Sequence, residues 1–595
     1  MAGRRLDCVI VGYNDVPVAE LIDRVANYRD TTGTYQHLIA NTVLLNGERV
    51  KYPELFNFAN GAATGARPSY NVANVPNLGA TYLASFLRKR GYGAEIVNFF
   101  NHDRLRLADL LDESPSLVAI TTTYYYDSRP VREVVDFVRA RSPSTTIVVG
   151  GPHIFNLCSD FKADGQDTFF AEMGADIYVF DSQGELTLAR LCEQFRKARP
   201  DLDVVPNLAY KEAGTTFRRT SRAIEDNDMD QSSIDWDLFP DDFVAPIAQI
   251  RTARSCAFKC SFCRYPVVAG ALNLTTLDVV ERELDQLATK GTSHLLIIDD
   301  TFNIPEKRFK ELCRMMIRNR YGFEWFSYFR CANADDEAFD LMAEAGCKGV
   351  FLGIESADRS VLRIMNKGAT PERYATGLKR LTDLGIMSYA SFIVGFPGET
   401  EETSRNTIAF IREQQPTFYS LETFFYDKKV PIASRAAEFG LQGNGYAWKH
   451  KTMDWRRASQ IVEESYRSIA ESSVVPLHGF DVWSIGYLMA HGFPKAQLLD
   501  FLRVASRSLI GGLDGKGADA SASLPDLKAV FATPRNTEPR PPVNIIGYEE
   551  RARQRLAATA AAAAAATTSA PAELVPAPAE KLITLSKAAA AAAGE

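Results

Sequence analysis

Three cysteines within eight residues carry the strongest chemical signal in this sequence. Cys256, Cys260 and Cys263 lie in the segment RSCAFKCSFCR, with the spacing Cys-x3-Cys-x2-Cys. Three thiolates on one short loop can hold three corners of a [4Fe–4S] cube, and the fourth iron is then left without a cysteine. A metal with an open position can bind a ligand directly. The spacing therefore predicts an iron–sulfur cluster with one iron open to a ligand.

The alternatives for this triplet are a zinc site and three buried structural cysteines. Zinc normally takes four Cys or His ligands, and the nearest histidines, His153 and His294, are each more than thirty residues away. Lys259, Ser261 and Arg264 accompany the cysteines, and such charged and polar residues do not suit a buried apolar position. The other six cysteines are scattered, and we expect them to be small buried hydrophobic residues.

The elements that must position this loop alternate between strand and helix over residues 246–440. Apolar strand segments are predicted at 247–253, 294–299, 324–330, 348–354, 387–394 and 417–424. Six strand–helix units indicate a partial (β/α)6 barrel, whose reactive face is the carboxyl end of its strands. The cysteine loop follows the first of these strands directly, so we expect it on that face.

Residues 1–215 show a second alternation of strands and helices. Apolar strands are predicted at 6–12, 95–100, 117–123, 145–151 and 176–180. Strands this apolar indicate a parallel sheet covered on both faces, a doubly wound, Rossmann-like α/β domain with its ligand at the carboxyl ends of the strands. A dinucleotide-binding domain would carry Gly-x-Gly-x-x-Gly after the first strand, whereas the sequence there reads VGYND.

The remaining segments complete an α/β chain of several domains. Residues 216–245 are polar and acidic and are interpreted as a linker. Residues 441–545 are rich in aromatic residues and helical patterns, and are interpreted as a helical C-terminal domain that caps the substrate. Residues 546–595 are rich in alanine and proline, a composition typical of a disordered tail.

Bulk composition excludes several classes of function. The net charge of −7 does not favour a nucleic-acid partner. No run of eighteen apolar residues occurs, so no membrane partner is expected. The N-terminus is interpreted as a first strand rather than a signal peptide. We therefore expect a cytoplasmic enzyme that acts on a small molecule.

The cysteine spacing, Phe262 before the third cysteine and the six-unit barrel resemble the radical SAM superfamily. In that family the open iron chelates the amino and carboxylate groups of S-adenosylmethionine (SAM). The resemblance implies that Phe262 lies at this cofactor site, and that Asp299 and Asp300 bind the methionyl amino group, partly through backbone carbonyls. The family usually has a Gly-Gly-Glu-like patch at this strand end, and this sequence has Asp-Asp-Thr instead.

Two further residues match positions near SAM in that family. Arg330 ends a later strand, and the resemblance implies that it reaches the carboxylate or the ribose. Glu355, in the segment GIES, resembles the strand motif near the adenine. The alternative for Glu355 is a structural ion pair with Arg359 or Lys367.

A parallel-sheet domain directly before such a barrel resembles the cobalamin-binding class of the superfamily. The resemblance implies that Thr121, Thr122, Gly150 and Gly151, at two strand ends, meet the nucleotide tail of cobalamin. Arg67 is expected near the lower face of cobalt, where a positive charge disfavours ligation. The sequence lacks the Asp-x-His-x-x-Gly motif of some cobalamin domains, so binding without a histidine ligand is expected.

The two cofactors together imply methyl transfer through methylcobalamin, as in the cobalamin-dependent (class B) radical SAM methyltransferases. Three segments, Gly12–Asp15, Tyr28–Phe56 and Trp448–Met453, look like two groups in antibiotic biosynthesis. One methylates C2 of tryptophan for thiopeptides, and the other methylates phosphorus in phosphinothricin-type pathways. The first is the preferred prediction, because an aromatic C-terminal domain suits an indole.

Several alternatives stay open at this point. A phosphinate substrate would need a cationic clamp, for which Lys449 and Lys451 are candidates. A cobalamin-dependent rearrangement or cyclisation would give a product without an added methyl group. The resemblance also implies an electron donor that reduces the cobalamin or the cluster, and it leaves open whether a 5′-deoxyadenosyl radical forms. Glu355 and Tyr419 are candidates for a catalytic base, and no motif singles one out.

Overall fold

The computed structural model describes residues 5–125, 127–214, 216–477, 480–513, 519–536, 545–555 and 557–558. The chain divides into two compact units, Met1–Asn544 and Ile545–Glu595. The second unit has a helix over 548–555, and most of the predicted disordered tail lies outside the described residues. None of the described helices combines the length and apolar character needed to cross a membrane.

The N-terminal part of the larger unit contains nine strands and nine helices among its described residues. In chain order they are β1 (Cys8–Tyr13), α1 (Val18–Ala26), α2 (Thr34–Ala40), β2 (Val43–Leu45), β3 (Glu48–Val50), α3 (Tyr52–Thr64), α4 (Leu78–Lys89), β4 (Ala94–Phe99), α5 (Phe100–Asp112), β5 (Leu117–Thr121), α6 (Arg129–Arg141), β6 (Thr146–Gly150), α7 (Pro152–Asp160), α8 (Ala163–Met173), β7 (Ile177–Val179), α9 (Glu185–Phe195), β8 (Leu208–Ala213) and β9 (Thr216–Arg219).

The first sheet confirms the predicted doubly wound domain. Its order is β4-β1-β5-β6-β7-β8-β9, and the first five strands are parallel. All five residues of β5 are buried, as expected for a strand covered on both faces. The chain runs from β1 outward to β4 and then crosses to β5 on the other side of β1. The carboxyl ends of β1 and β5 therefore flank a topological switch point, where such sheets bind ligands.

The second part of the larger unit contains the predicted barrel. Its elements are α10 (Met229–Ser232), α11 (Asp241–Val244), β10 (Ile247–Ile250), β11 (Ala253–Arg254), α12 (Tyr265–Ala269), β12 (Asn273–Leu274), α13 (Leu277–Thr289), β13 (His294–Ile297), α14 (Glu306–Asn319), β14 (Glu324–Tyr328), α15 (Asp336–Glu344), β15 (Cys347–Glu355), α16 (Arg359–Ile364), α17 (Pro371–Asp383), β16 (Met387–Val394), α18 (Glu401–Gln414) and β17 (Phe418–Thr423).

The C-terminal part of this unit is mainly helical. Its elements are α19 (Ala436–Phe439), β18 (Gln442–Asn444), β19 (Ala447–Lys449), α20 (Trp455–Ser468), β20 (Ser473–Val474), α21 (Val482–Ala490), α22 (Lys495–Gly511) and α23 (Leu524–Val530).

All six predicted barrel strands are present and parallel. The sheet order is β10-β13-β14-β15-β16-β17-β20, so β10 and β20 form the edges of an open barrel. The short β20, from the C-terminal part, adds a seventh strand beside β17, with Phe418 opposite Ser473. Two residues are too few to produce an alternation that a sequence pattern could reveal.

A layer of helices joins the two ends of the larger unit. The ring of Phe56 on α3 lies 5.0 Å from the rings of Phe501 and Phe531 on α22 and near the end of α23. The carboxylate of Asp519 accepts hydrogen bonds from the backbone N–H groups of Asn46 and Gly47 at 2.9 and 2.7 Å. Residues 46–56, which belong to the predicted N-terminal domain, thus pack on the C-terminal helices.

The predicted linker, residues 216–245, is well packed in the described structure. Residues 216–219 form β9 and extend the first sheet beside β8. The indole of Trp236 is fully buried, and its Nε1 donates to Glu283 on α13 at 3.4 Å. The segment therefore fills the junction between the two sheets.

Candidate active site

The carboxyl ends of the two parallel sheets lie opposite each other. Arg254, which follows β10, donates from Nη1 to Oε1 of Gln183 beyond the end of β7 at 2.6 Å. Burial, followed by the carboxylates of Asp481 and Asp300, raises the pKa of Tyr124 to about 12. Since Tyr124 follows β5 and Asp300 follows β13, the two strand ends border one space.

The cysteine loop, residues 255–264, is anchored by the segment after α16. Ser261 donates from its backbone N–H to the carbonyl of Met365, and from its hydroxyl to that of Ile364, both at 2.8 Å. Asn366 Nδ2 donates to the carbonyl of Lys259 at 2.8 Å. These bonds satisfy backbone groups between the cysteines, so the loop conformation does not depend on a bound cluster alone.

The three thiols differ in exposure. Cys260 is buried, whereas Cys256 and Cys263 are partly exposed. Sγ of Cys256 lies 3.3 Å from Oγ1 of Thr301, beyond the end of β13. Burial, followed by the nearby thiols of Cys260 and Cys256, raises the pKa of Cys263 to about 11.

Among the described residues, no three Cys, His, Asp or Glu side chains converge as ligands of a single metal ion. The thiolates of a cubane bind three different irons, so they need no such convergence. A soft donor set of three neighbouring thiols on one anchored loop fits an iron–sulfur cluster.

Arg330 ties the cysteine loop to two neighbouring segments. Its guanidinium donates to the carbonyl of Lys367 and lies 3.9 Å from Sγ of Cys260. Nε donates to Oδ1 of Asn333 at 3.1 Å, and the guanidinium stacks 3.6 Å from the ring centroid of Phe258. Arg330 is thus engaged within the protein, and its contact with SAM stays a prediction.

Asp299 and Asp300 have different surroundings. The buried carboxylate of Asp299 accepts from the N–H groups of Thr252 and Ala253 at 2.6 and 3.0 Å, and from the Thr252 hydroxyl at 2.6 Å. Asp300 is solvent-accessible, and desolvation by the surrounding protein, followed by the charge of Asp299, raises its pKa to about 6. Asp299 therefore holds the entry to the cysteine loop, and a contact of Asp300 with SAM stays a prediction.

Glu355 forms the ion pair with Lys367 that was the alternative to a SAM contact. Nζ of Lys367 lies 3.1 Å from Oε1, and the two side chains are only 7% and 12% exposed. Glu355 has a φ of 69°, and a Cβ on Gly353 would come within 2.5 Å of its Oε1. Lys367 also lies 5.3 Å from the ring centroid of Phe262, so Phe262 is placed beside this pair.

The residues predicted to meet cobalamin come together at the ends of β5 and β6. The Thr121 hydroxyl donates to the carbonyl of Gly12 at 2.5 Å, and the Thr122 hydroxyl to that of Gly150 at 2.9 Å. Gly151 has a φ of 105°, and a Cβ there would lie 3.0 Å from the Thr122 hydroxyl oxygen. The two hydroxyls and two glycines thus shape one close-packed edge.

Buried polar atoms at this edge fit a ligand rich in amide groups. Asn14 Oδ1, the Tyr125 hydroxyl and His153 Nε2 are buried and have no hydrogen-bond partner within the described part of the chain. Each such atom costs about 1–3 kcal/mol if it stays unpaired. The amide side chains of a corrin supply both donors and acceptors, so these atoms fit cobalamin at the switch point.

Arg67 lies exposed in the segment between α3 and α4. This segment reaches the same edge, because Nδ2 of Asn98 on β4 donates to the carbonyls of Ala73 and Val75 at 3.0 Å. His102, near this edge, is 2.9 Å from Oδ1 of Asn74. A role of Arg67 below cobalt stays a prediction.

Sequence reasoning missed two residues that border the space between the sheets. Tyr124 is 68% exposed and adopts a left-handed φ of 67°, which no local sequence pattern reveals. Asp481 precedes the apolar run of α21 and caps that helix. An Asp before an apolar helical run is an N-cap signal, but it does not reveal which space the second carboxylate oxygen faces.

Residues considered for other roles lie elsewhere. Lys449 is exposed on the hairpin of β18 and β19, and Nζ of Lys451 donates to the carbonyl of Glu438 at 2.6 Å. Tyr419 is fully buried, with its ring 5.9 Å from that of Tyr466 on α20. Tyr419 therefore packs under a helix, in a position that does not suit a base acting on a bound substrate.

Two families match parts of this chain. The radical SAM superfamily matches residues 250–411, and the B12 binding domain matches residues 72–191. An uncharacterized methyltransferase of Pyrococcus horikoshii is 27% identical over 401 residues, which are 65% of this chain and 82% of the relative. The two matched ranges include most of the predicted barrel and most of the first sheet.

Two solved structures have a similar fold. TsrM from Kitasatospora setae, with cobalamin and a [4Fe–4S] cluster bound, has a TM-score of 0.52 and 18% identity over 82% of this chain and 97% of its own. The cobalamin-dependent radical enzyme OxsB, with aqua-cobalamin and SAM bound, has a TM-score of 0.53 and 13% identity over 96% of this chain and 82% of its own. Both likenesses agree with the predicted architecture.

Proposed function

We propose that this chain, a cobalamin-dependent radical SAM methyltransferase, methylates an unactivated position of a small aromatic molecule. The preferred candidate for this position is C2 of L-tryptophan. Its cofactors are a [4Fe–4S] cluster, SAM and cobalamin. Bound together, they supply a methyl group and a carrier that passes it to atoms ordinary methyltransferases leave unchanged. The protein binds and orients these groups and excludes water.

The cysteine loop and its anchors have defined tasks in this proposal. Cys256, Cys260 and Cys263 hold the cluster, while Arg330 and Asp299 keep the loop in place. The carboxylate of Asp300, whose neighbour Thr301 lies 3.3 Å from Sγ of Cys256, takes the methionyl ammonium group of SAM through a charge-assisted hydrogen bond. The edge formed by β5 and β6 holds cobalamin on the opposite side of the same space.

An aromatic wall on the second sheet is the observation that carries the substrate proposal. Tyr328 and Phe351 lie side by side on β14 and β15, with partly exposed rings whose centroids are 5.2 Å apart, and the fully buried ring of Tyr389 on β16 packs 4.9 Å from Phe351. Trp483 on α21 packs edge-on against Tyr328 at 4.9 Å. Such rings favour stacking and edge contacts with a planar group such as an indole.

The charged groups near this wall favour tryptophan over a phosphinate. Burial, followed by Tyr124 and then by the charge of Asp481, raises the pKa of the Tyr328 hydroxyl. An anionic phosphinate would need a cationic clamp, and Lys449 and Lys451 lie at the surface. The wall therefore suits a neutral ring that carries an amine.

A mass-spectrometric assay tests the proposal. Anaerobically reconstituted protein with cluster and cobalamin receives methyl-deuterated SAM and L-tryptophan. We expect a product heavier by one deuterated methyl group, together with S-adenosylhomocysteine. A product of unchanged mass, or one that has lost hydrogens, would support a rearrangement or cyclisation instead. No product from fully loaded protein would refute tryptophan as the substrate.

The cluster assignment has its own control. Replacing Cys256, Cys260 and Cys263 together by alanine should remove both iron and product. Cys313→Ala removes a buried thiol from α14 of the same barrel, and we expect it to keep both. Full iron content in the triple variant would refute the assignment.

A further inference from the structure

We propose that Asp481, with the rings of Tyr124, Tyr328 and Trp483, forms a subsite that binds an ammonium group of the substrate. The inference rests on the proposed function, because it concerns the substrate of the same reaction. Three parts of the chain build this subsite. Tyr124 follows β5 of the first sheet, Tyr328 ends β14 of the second, and Asp481 and Trp483 begin α21.

Asp481 uses only one carboxylate oxygen for its structural role. Its Oδ1 accepts hydrogen bonds from the backbone N–H groups of Trp483 and Ser484 at 3.0 and 3.2 Å, and so caps α21. Among the described residues, no lysine, arginine or histidine nitrogen lies within 4.0 Å of its carboxylate. A largely buried carboxylate without a cationic partner gains stability when a ligand supplies the positive charge.

Tyr124 is the member of the subsite that comes from the first sheet, where it follows β5. Its φ of 67° is strained for a residue with a side chain, yet its ring is 68% exposed. Packing in the described structure therefore does not account for the strained backbone, and such strain concentrates at ligand sites. After burial, the charge of Asp481 is the largest influence on the pKa of Tyr124, and it raises that pKa.

The rings of Tyr328 and Trp483 complete the subsite. Their planes meet at 77°, with centroids 4.9 Å apart, so the buried Trp483, two residues after Asp481, holds the partly exposed ring of Tyr328 edge-on. The face of an aromatic ring attracts a cation through its quadrupole. A carboxylate and aromatic rings together attract an ammonium group and repel an anion.

Asp300 and Asp481 are assigned to different ammonium groups. Asp300 precedes Thr301, whose Oγ1 lies 3.3 Å from Sγ of Cys256 on the cluster loop, and we assign Asp300 to SAM. Asp481 comes from α21, outside the residues that match the radical SAM superfamily. The second carboxylate thus belongs to the C-terminal part, which the sequence predicts to cap the substrate.

Asp481→Asn removes the negative charge and keeps the cap of α21, because asparagine caps a helix about as well as aspartate. Binding of L-tryptophan, tryptamine and indole-3-propionate to anaerobic holoenzyme is measured by calorimetry. We expect the wild type to bind the two amines about tenfold more tightly than indole-3-propionate, which lacks the ammonium group. In Asp481→Asn this preference should fall to about threefold or less.

Asp454→Asn is the matched control, since Asp454 caps α20 in the same way; it should keep the preference for amines. The proposal is overturned if Asp481→Asn keeps the preference, if the wild type binds all three probes equally, or if it binds none of them. The methylation assay tests the proposed function independently of this binding experiment. A preference for amines without a methylated product refutes tryptophan methylation and leaves the subsite standing.

Discussion

Removing the carboxylate of Asp299 should loosen the cysteine loop and speed the loss of iron. The side chain is 1% exposed, and it accepts three hydrogen bonds of 2.6–3.0 Å from Thr252 and Ala253. These two residues immediately precede the segment that leads to Cys256. Asp299→Ala would leave two backbone N–H groups and one hydroxyl without this acceptor.

The size of the effect follows from the unpaired donors. A buried donor without a partner costs about 1–3 kcal/mol, so the two N–H groups together cost about 3 kcal/mol if the loop partly relaxes. This corresponds to roughly a hundredfold weaker retention of the cluster. Asp299→Asn keeps one oxygen for the N–H groups and places an amide opposite the Thr252 hydroxyl, so we expect about 1 kcal/mol, or roughly fivefold.

Iron release to a ferrous chelator under anaerobic conditions measures this effect. The order of release should be Asp299→Ala, then Asp299→Asn, then wild type. Asp7→Ala is the matched control, because Asp7 is also 1% exposed and accepts from the N–H of Gly93 at 2.7 Å at the amino end of β1. It should lower stability without speeding iron release. Iron retention in Asp299→Ala equal to that of the wild type would refute the anchoring role.

Three further changes test other contacts. Lys367→Met leaves Glu355 largely buried without its cation, so the free energy of unfolding should fall by about 3–5 kcal/mol and the melting temperature with it. The double variant Lys367→Met/Glu355→Gln should recover part of this loss. An unchanged melting temperature in the single variant would refute a buried pair. Burial raises the pKa of Asp481 to about 7, and only the deprotonated carboxylate binds an ammonium group. The preference for tryptamine over indole-3-propionate, measured by calorimetry, should therefore increase between about pH 6 and about pH 8. Tyr124, Tyr328 and Asp300 also face this site; the hydroxyls stay neutral in this window, and a flat profile in Asp481→Asn would assign the change. Glycine accepts a φ of 67° without strain, so Tyr124→Gly should leave the free energy of unfolding unchanged or raise it by about 1 kcal/mol. The preference for amines should fall in this variant. A clear loss of stability would indicate a packing role for the ring.

Local features of this protein follow from the sequence alone. The spacing of Cys256, Cys260 and Cys263 sets which atoms one short loop presents, since neighbours along the chain stay neighbours in space. The strands of both sheets are equally readable, because a parallel strand covered on both faces must be a continuous apolar run. All six barrel strands and all five parallel strands of the first sheet are therefore where the sequence predicts them.

Only the tertiary structure decided which partner each side chain meets. Asp299 and Asp300 are adjacent and chemically identical, yet one turns inward to Thr252 and the other is exposed. Tyr328 and Trp483 are separated by more than one hundred and fifty residues, and their rings lie 4.9 Å apart because the second sheet and a C-terminal helix pack on one another. Such contacts depend on side-chain direction and on long-range packing, and a pattern along the chain carries neither.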